Sequence, residues 1–163
     1  MVRMTSATVH ASAVLAGARA VLIRGPSGAG KSRLALELIE AARAGRLRFA
    51  RLVGDDRIHL DGVGGRLLAR PAETLAGLIE VRGAGILRLD YEPCAVVGLV
   101  VDLEAADAER LPESRKVEIE GISLPRLAVA PGAAALPGVL ALLISSCAGV
   151  DPDSLGSLTP SAV

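Results

Sequence analysis

The sequence predicts an α/β fold in which a phosphate-binding core carries a mixed β-sheet with several hairpins. Three observations lead to this prediction: a P-loop flanked by strand and helix patterns, glycine-marked hairpin signals, and one long apolar run. The 163 residues, 51% of them hydrophobic, are enough for one domain with its own core. We expect this domain at residues 1–150 and a disordered tail, rich in Ser, Pro and Gly, at residues 151–163.

The P-loop is the most specific of these signals, because it matches the complete G-x-x-x-x-G-K-[ST] pattern. Its glycines let the backbone curl so that successive N–H groups point at phosphate oxygens. Lys31 adds a mobile charge for the outer phosphates, and the Ser32 hydroxyl is a ligand for Mg²⁺. The loop therefore predicts ATP and Mg²⁺ as cofactors. The predicted nucleotide-binding residues are Gly25, Pro26, Ser27, Gly28, Ala29, Gly30, Lys31 and Ser32.

The segments around the loop match the context that a P-loop requires. Ala20–Ile23 is a short apolar run that suits a buried strand. Residues 32–44 carry apolar side chains at helical spacing, and Gly45 is a plausible C-terminal stop. Strand, loop and helix in this order place the loop amides and the positive helix end on one anion. A chance match in a glycine-rich turn is the alternative, and these flanking patterns argue against it.

The rest of the chain is rich in strand patterns. Asp61–Gly65 and Glu120-Gly121 mark two hairpins, and Ala95–Leu103 is typical of a strand buried on both faces. Because strands and helices do not alternate, we expect a mixed sheet with antiparallel hairpins. Strands are predicted at residues 8–15, 49–53, 57–60, 66–69, 78–81, 95–103, 116–119 and 122–129, a helical turn at 71–75 and a helix at 139–147.

Composition excludes several classes of partner. Eighteen basic residues balance eighteen acidic ones, so no global charge attracts nucleic acid or a membrane surface. Phe49 and Tyr91 are the only aromatic residues, which argues against a protein that stacks on bases. The N-terminus lacks the apolar core of a signal peptide, and the longest apolar stretch is too short to span a bilayer. We therefore expect a cytoplasmic protein.

Phosphoryl transfer also needs a group that handles the proton of the nucleophile. Asp55 and Asp56 follow a strand pattern, and neighbouring residues of an extended chain point to opposite sides. One carboxylate could then face the γ-phosphate while the other serves the metal or the structure. A turn with two solvated carboxylates is equally compatible. His10, near the P-loop strand, is either structural or part of the site.

Two further segments compete for the metal. Glu80 and Arg82 alternate onto one face of a strand, where they could hold metal and phosphate or form a salt bridge. Residues 96–104 resemble a Walker B strand, so that Asp102 would support Mg²⁺ and Glu104 would polarise water. That second hypothesis describes a generic P-loop ATPase or small-molecule kinase. A nucleotide-binding regulatory module without catalysis is a further alternative.

Four segments in order resemble the catalytic domain of HPr kinase/phosphorylase, the bifunctional serine kinase of the bacterial phosphotransferase system. They are Val9–Ser12, Gly25–Ser32, Val53–Asp56 and Leu78–Ile86, the last of which carries the signature Ile-Glu-Val-Arg-Gly-x-Gly-Ile. The resemblance implies the HPr kinase/phosphoenolpyruvate carboxykinase-like fold. It also implies an ATP- and Mg²⁺-dependent kinase that phosphorylates a serine of HPr or an HPr-like phosphocarrier.

The resemblance implies a role for each matching catalytic residue. Asp55 matches the general base of the kinase direction, and it becomes the general acid in phosphorolysis. A carboxylate beside the transferring phosphate can accept a seryl proton and, by microscopic reversibility, return it. His10 matches the active-site histidine and Lys31 the P-loop lysine. Arg110 matches a further catalytic arginine in a looser alignment.

The resemblance also assigns the metal ligands, which are Ser32 and Glu80. From the residue pattern we expect Asp56 and Arg82 as supporting residues. The resemblance makes Asp102 a substitution in a core strand instead of a Walker B residue. Most relatives carry an additional N-terminal domain, and they continue through Pro-Gly-Arg into helices that help to build a hexamer. This chain reads Pro131-Gly132-Ala133 and has a short C-terminal region. The kinase reaction is therefore expected, while the phosphorylase reaction and the hexamer stay open.

Overall fold

The computed structural model describes residues 7–108 and 115–147, so the predicted tail at residues 151–163 and Arg110 lie outside the described residues. The described part contains two α-helices, α1 (Lys31–Arg43) and α2 (Leu136–Cys147). Neither of these helices has the length and apolar character needed to cross a membrane. The strands are β1 (Thr8–Val9), β2 (Ser12–Ala16), β3 (Arg19–Arg24), β4 (Ala50–Gly54), β5 (Ile58–Val63), β6 (Arg66–Pro71), β7 (Leu78–Val81), β8 (Gly85–Arg88), β9 (Ala95–Asp102), β10 (Lys116–Ile119) and β11 (Ile122–Ala128).

Most of the described strands form one mixed sheet, in the order β1-β5-β6-β9-β3-β2-β4. At its centre β3 and β9 run parallel, and β2 pairs antiparallel with both β3 and β4. Two strands pair with the same edge of β9: β6 pairs antiparallel with its start, and β11 pairs parallel with its end. The β10–β11 pair is a hairpin, and β7 and β8 form a separate two-stranded hairpin. The mixed, hairpin-containing α/β architecture is therefore confirmed.

Strand β3 is buried on both faces, and this burial fixes the start of the P-loop. Val21 and Ile23 belong to an apolar cluster that also includes Leu34 and Leu38 of α1. Leu22 points to the other face and packs in a second cluster with residues of β5, β6 and β9. Because side chains alternate along a strand, the apolar run that predicted β3 serves both clusters at once.

Several elements differ from the sequence prediction. The strand expected at residues 8–15 is broken at His10 and Ala11, because β1 pairs with β5 whereas β2 pairs with β3 and β4. Strand β8 was not predicted, and its residues are all exposed, so no apolar alternation marks it. Helix α2 begins at Leu136, before the predicted Val139, and Pro137 is tolerated there because it lies in the first turn.

A cluster of arginines and aspartates joins the ends of β3, β9 and β11. Arg24 lies opposite Asp102 in register, and its Nε and Nη2 atoms donate to Oδ1 and Oδ2 of Asp102 at 2.7 and 2.8 Å. Arg126 Nε donates to the same carboxylate at 2.5 Å, and its other nitrogens bind Asp107 at 2.8 and 3.0 Å. Burial raises the pKa of Asp102, but hydrogen bonds and charges from both arginines outweigh it and lower the pKa.

We predict that Asp102→Asn lowers the free energy of unfolding by about 2 kcal/mol at neutral pH, because two arginines lose their shared anion. The pKa of Asp102 is lowered on folding, so its contribution is present above the ordinary value of 3.8 and is lost as pH falls below it. Urea unfolding at several pH values measures this difference.

The matched control for this experiment is Asp107→Asn, which removes the other carboxylate that Arg126 binds. The Asp107 side chain is 66% exposed, so solvent screens its ion pair and the change in stability should be much smaller. Equal stability of the two variants at neutral pH, or a deficit of Asp102→Asn that grows in acid, would contradict this account.

Candidate functional site

The loop between β3 and α1 has the backbone of an anion-binding loop. Gly25, Gly28 and Gly30 have φ angles of +152°, +82° and +98°, a region that favours glycine. A Cβ on Gly25 would lie 3.1 Å from both Cβ and the carbonyl oxygen of Leu103. A Cβ on Gly28 or Gly30 would meet no protein atom within 4 Å, so the face above them is open to a ligand.

The start of α1 adds positive potential to this loop. Gly30 caps the helix, no side chain caps it, and its first turn holds no acidic residue. The first backbone N–H groups of α1 are therefore available to an anion. Lys31 is only 7% exposed, and its Nζ donates to the carbonyl oxygens of Gly25 and Pro26 at 2.9 Å each. The ammonium group thus lies across the loop.

The carboxylate of Asp55 is the centre of the site, and Asp55 is only 5% exposed. Ser12 Oγ donates to Oδ1 at 2.5 Å, and Ser32 Oγ lies 2.8 and 2.9 Å from Oδ1 and Oδ2. The backbone N–H of Glu80 donates to Oδ2 at 3.3 Å. An ionised carboxylate has about four acceptor positions. The three donors come from β2, α1 and β7, and because Ser32 is shared between the two oxygens, each oxygen makes two contacts.

Ser32 and Glu80 have the chemistry of a magnesium site. The Ser32 hydroxyl donates a hydrogen bond to Asp55, which leaves its oxygen lone pairs available to a cation. Glu80 is exposed on β7, while its backbone contacts the same carboxylate. Among the described residues no three His, Cys, Asp or Glu side chains could hold a metal by themselves. This donor set fits Mg²⁺, which takes one or two protein ligands and completes its shell with phosphates and water.

The structure separates the two adjacent aspartates as expected, although for a different reason. Both follow the end of β4, and Asp56 has a left-handed φ of +68°. The bend, instead of strand alternation, buries Asp55 and leaves the Asp56 side chain 59% exposed. His10 Nε2 lies 3.0 Å from Asp56 Oδ1. His10 is thus brought next to the Asp55-Asp56 pair by way of Asp56.

Two sequence expectations need correction. Arg82 lies in the exposed turn between β7 and β8, so it does not share a strand face with Glu80 by alternation. The ion pairs of the described residues include none between Glu80 and Arg82. The Walker B hypothesis is not favoured either, because arginines occupy both carboxylate oxygens of Asp102. Glu104 is exposed in the turn that follows β9.

Sequence reasoning missed Ser12, which contributes the shortest hydrogen bond to Asp55. The available signal was weak: one hydroxyl at the start of the apolar run Ala-Val-Leu. A cavity of about 620 Å³ lies elsewhere, lined by Arg51, Gly77 and residues 88–91. It shares no residue with the loop or with the donors to Asp55, so it is not part of this site.

The comparisons with known proteins agree on one family. The family model of the HPr Serine kinase C-terminal domain matches residues 3–133. HPr kinase/phosphorylases of Streptococcus thermophilus (strain ATCC BAA-491 / LMD-9) and Streptococcus pneumoniae (strain Hungary19A-6) are each 36% identical to this chain. The alignments run over 135 and 124 residues and cover 75% and 67% of this chain. The chain spans only 41% and 37% of the length of these relatives.

A solved structure agrees in fold. The Hpr(Ser) kinase/phosphatase from Coxiella burnetii superposes with a TM-score of 0.68 at 26% sequence identity. The match covers 86% of this chain and 95% of that one. The resemblance that the sequence predicted is confirmed by all three comparisons. The chain belongs to the HPr serine kinase C-terminal domain family.

Proposed function

We propose that this chain is an ATP- and Mg²⁺-dependent protein-serine kinase that phosphorylates HPr or an HPr-like phosphocarrier. The observation that carries the proposal is the buried Asp55 carboxylate, hydrogen-bonded to Ser32 of the P-loop. Membership of the family supports the choice of carrier, since the curated relatives are named HPr kinase/phosphorylase.

The loop Gly25–Ser32 would hold the phosphates of ATP through its amides and the N–H groups at the start of α1. Lys31 would move from the loop carbonyls to the outer phosphates, since its flexible stem lets the ammonium change partners. Ser32 and Glu80 would hold Mg²⁺, which neutralises phosphate charge when bound. These residues position the γ-phosphoryl group beside Asp55.

Asp55 would accept the proton of the substrate seryl hydroxyl while that oxygen attacks the γ-phosphorus. The new bond joins the seryl oxygen to phosphorus, and the bond from the γ-phosphorus to the bridging oxygen of ADP breaks. In a phosphorylase reaction an oxygen of inorganic phosphate would attack the phosphorus of the phosphoserine to form pyrophosphate, the bond from phosphorus to the seryl oxygen would break, and the protonated Asp55 would return its proton to that oxygen. His10 and Arg110 are proposed to act on the transferring group, with Asp56 orienting His10.

The remaining predictions of the sequence belong to this proposal as well. We place the catalytic domain at residues 1–150, with Arg82 as a supporting residue at the exposed rim of the site. We also propose that the reaction takes place in the cytoplasm, where ATP can serve as the phosphoryl donor. Nucleic acid and membrane partners have no part in the proposed reaction, and either a monomer or an oligomer could carry it out.

Phosphoserine formation tests the proposed function directly. The chain is incubated with γ-labelled ATP, Mg²⁺ and HPr, and phosphoserine is identified by mass spectrometry. We expect label on the seryl acceptor of the carrier, and none on a carrier in which that serine is replaced by alanine. Nucleotide binding without phosphoserine would contradict the proposal and would indicate a regulatory module.

We predict that Glu80→Gln raises the Mg²⁺ concentration required for half-maximal phosphorylation by about 10-fold or more, because a neutral amide replaces a carboxylate ligand. A titration of the reaction rate against Mg²⁺ at fixed ATP measures this shift. Glu40→Gln, which makes the same change on the exposed face of α1, is the matched control and should leave the titration unchanged. Identical Mg²⁺ curves for both variants would remove Glu80 from the metal site.

A further inference from the structure

Ser12 is a buried polar residue that has no role in the proposed reaction so far. Across the described residues, the buried polar or charged side chains are Ser12, Lys31 and Asp55. Lys31 and Asp55 belong to the proposed phosphate and proton-transfer groups. Ser12 is fully buried between Ala11 and Ala13, which are also fully buried. A hydroxyl costs free energy in such surroundings unless it is hydrogen-bonded, so its partner explains its presence.

The position of Ser12 in the sheet directs its hydroxyl to the site. Ser12 begins β2, which lies between the P-loop strand β3 and strand β4, after which Asp55 follows. It pairs with Ile23, while its neighbour Ala13 pairs with Gly54. The register shifts between Ala13 and Val14, an irregularity that can re-aim a strand next to a site. The Ser12 hydroxyl hydrogen-bonds to Oδ1 of Asp55, which lies 43 residues later in the sequence.

The three donors to Asp55 differ in their other duties. Ser32 belongs to the P-loop and is proposed to ligate the metal, and the Glu80 N–H belongs to a hairpin that is largely exposed. Ser12 alone is buried and donates to Asp55 without another partner in the described hydrogen bonds. Its contact of 2.5 Å is typical of a hydroxyl that donates to an ionised carboxylate.

We propose that Ser12 is a positioning residue that fixes the orientation of the Asp55 carboxylate toward the substrate hydroxyl. This inference rests on the proposed kinase function. Ser12 touches neither nucleotide nor carrier and acts through Asp55. Loss of the hydroxyl should therefore lower the rate of phosphoryl transfer and leave the binding of both substrates nearly unchanged, because small misplacements of a reacting group are costly.

A set of three variants at one position tests the proposal. Ser12→Ala removes the hydroxyl. Ser12→Thr and Ser12→Val introduce side chains of nearly the same shape as each other, but threonine has the hydroxyl and valine lacks it. We expect kcat to fall about 10- to 100-fold in the Ala and Val variants, with KM values for ATP and HPr within about 3-fold of the unsubstituted chain. Ser12→Thr should retain most of the turnover. Thermal unfolding of each variant shows that it is folded under the assay conditions.

A double variant separates positioning from a merely structural role. If Ser12 acts through Asp55, Ser12→Ala should cause little further loss of kcat in an Asp55→Asn background, whereas independent effects would multiply. Full turnover of Ser12→Ala, equal losses in the Thr and Val variants, or multiplicative losses in the double variant would each overturn the assignment. Phosphoserine formation by the unsubstituted chain reports on the proposed function, and the ratio of variant to unsubstituted rates reports on Ser12.

Discussion

The hydrogen bonds that meet at the Asp55 carboxylate are the constraint on which the rest of the structure depends. A buried anion is tolerated only where donors replace water, and here two hydroxyls and one backbone N–H do so. The donors belong to β2, to the start of α1 and to β7, which are far apart in sequence. Strand β2 lies between β3, which leads into the P-loop, and β4, after which Asp55 follows, so the order of these strands places Ser12 beside Asp55.

Asp55, which is buried, and Asp102, which is partly buried, show how surroundings separate a chemical role from a structural one. Asp102 is bound by two guanidinium groups, which neutralise its charge and hold the ends of three strands together. The donors to Asp55 in the described part of the chain are all neutral, and none of the described salt bridges involves this carboxylate. Topology places Asp102 where a Walker B residue would lie, but its partners give it a different role.

The features that could be predicted from the sequence are those with local signals. The P-loop, the hairpins and the buried strand β9 each depend on turn residues or apolar periodicity within one segment. The structural role of Asp102 depends instead on its ion pairs with Arg24 and Arg126, which are 78 and 24 residues away in the sequence. Residue type alone could not separate Asp55 from Asp56, because the bend after β4 decides which one is buried. Ser12 was missed for the same reason, since its partner is set by strand order.

The most direct test of this account is the rate constant for a single turnover of phosphoryl transfer from ATP to HPr, measured by rapid quench. We predict that Asp55→Asn lowers this rate constant by at least about 100-fold and retains the affinity for ATP, because the seryl proton loses its acceptor. Asp56→Asn, the same substitution one residue later on an exposed side chain, should lose far less. Transfer by Asp55→Asn at the rate of the unsubstituted chain would contradict the central role of this carboxylate.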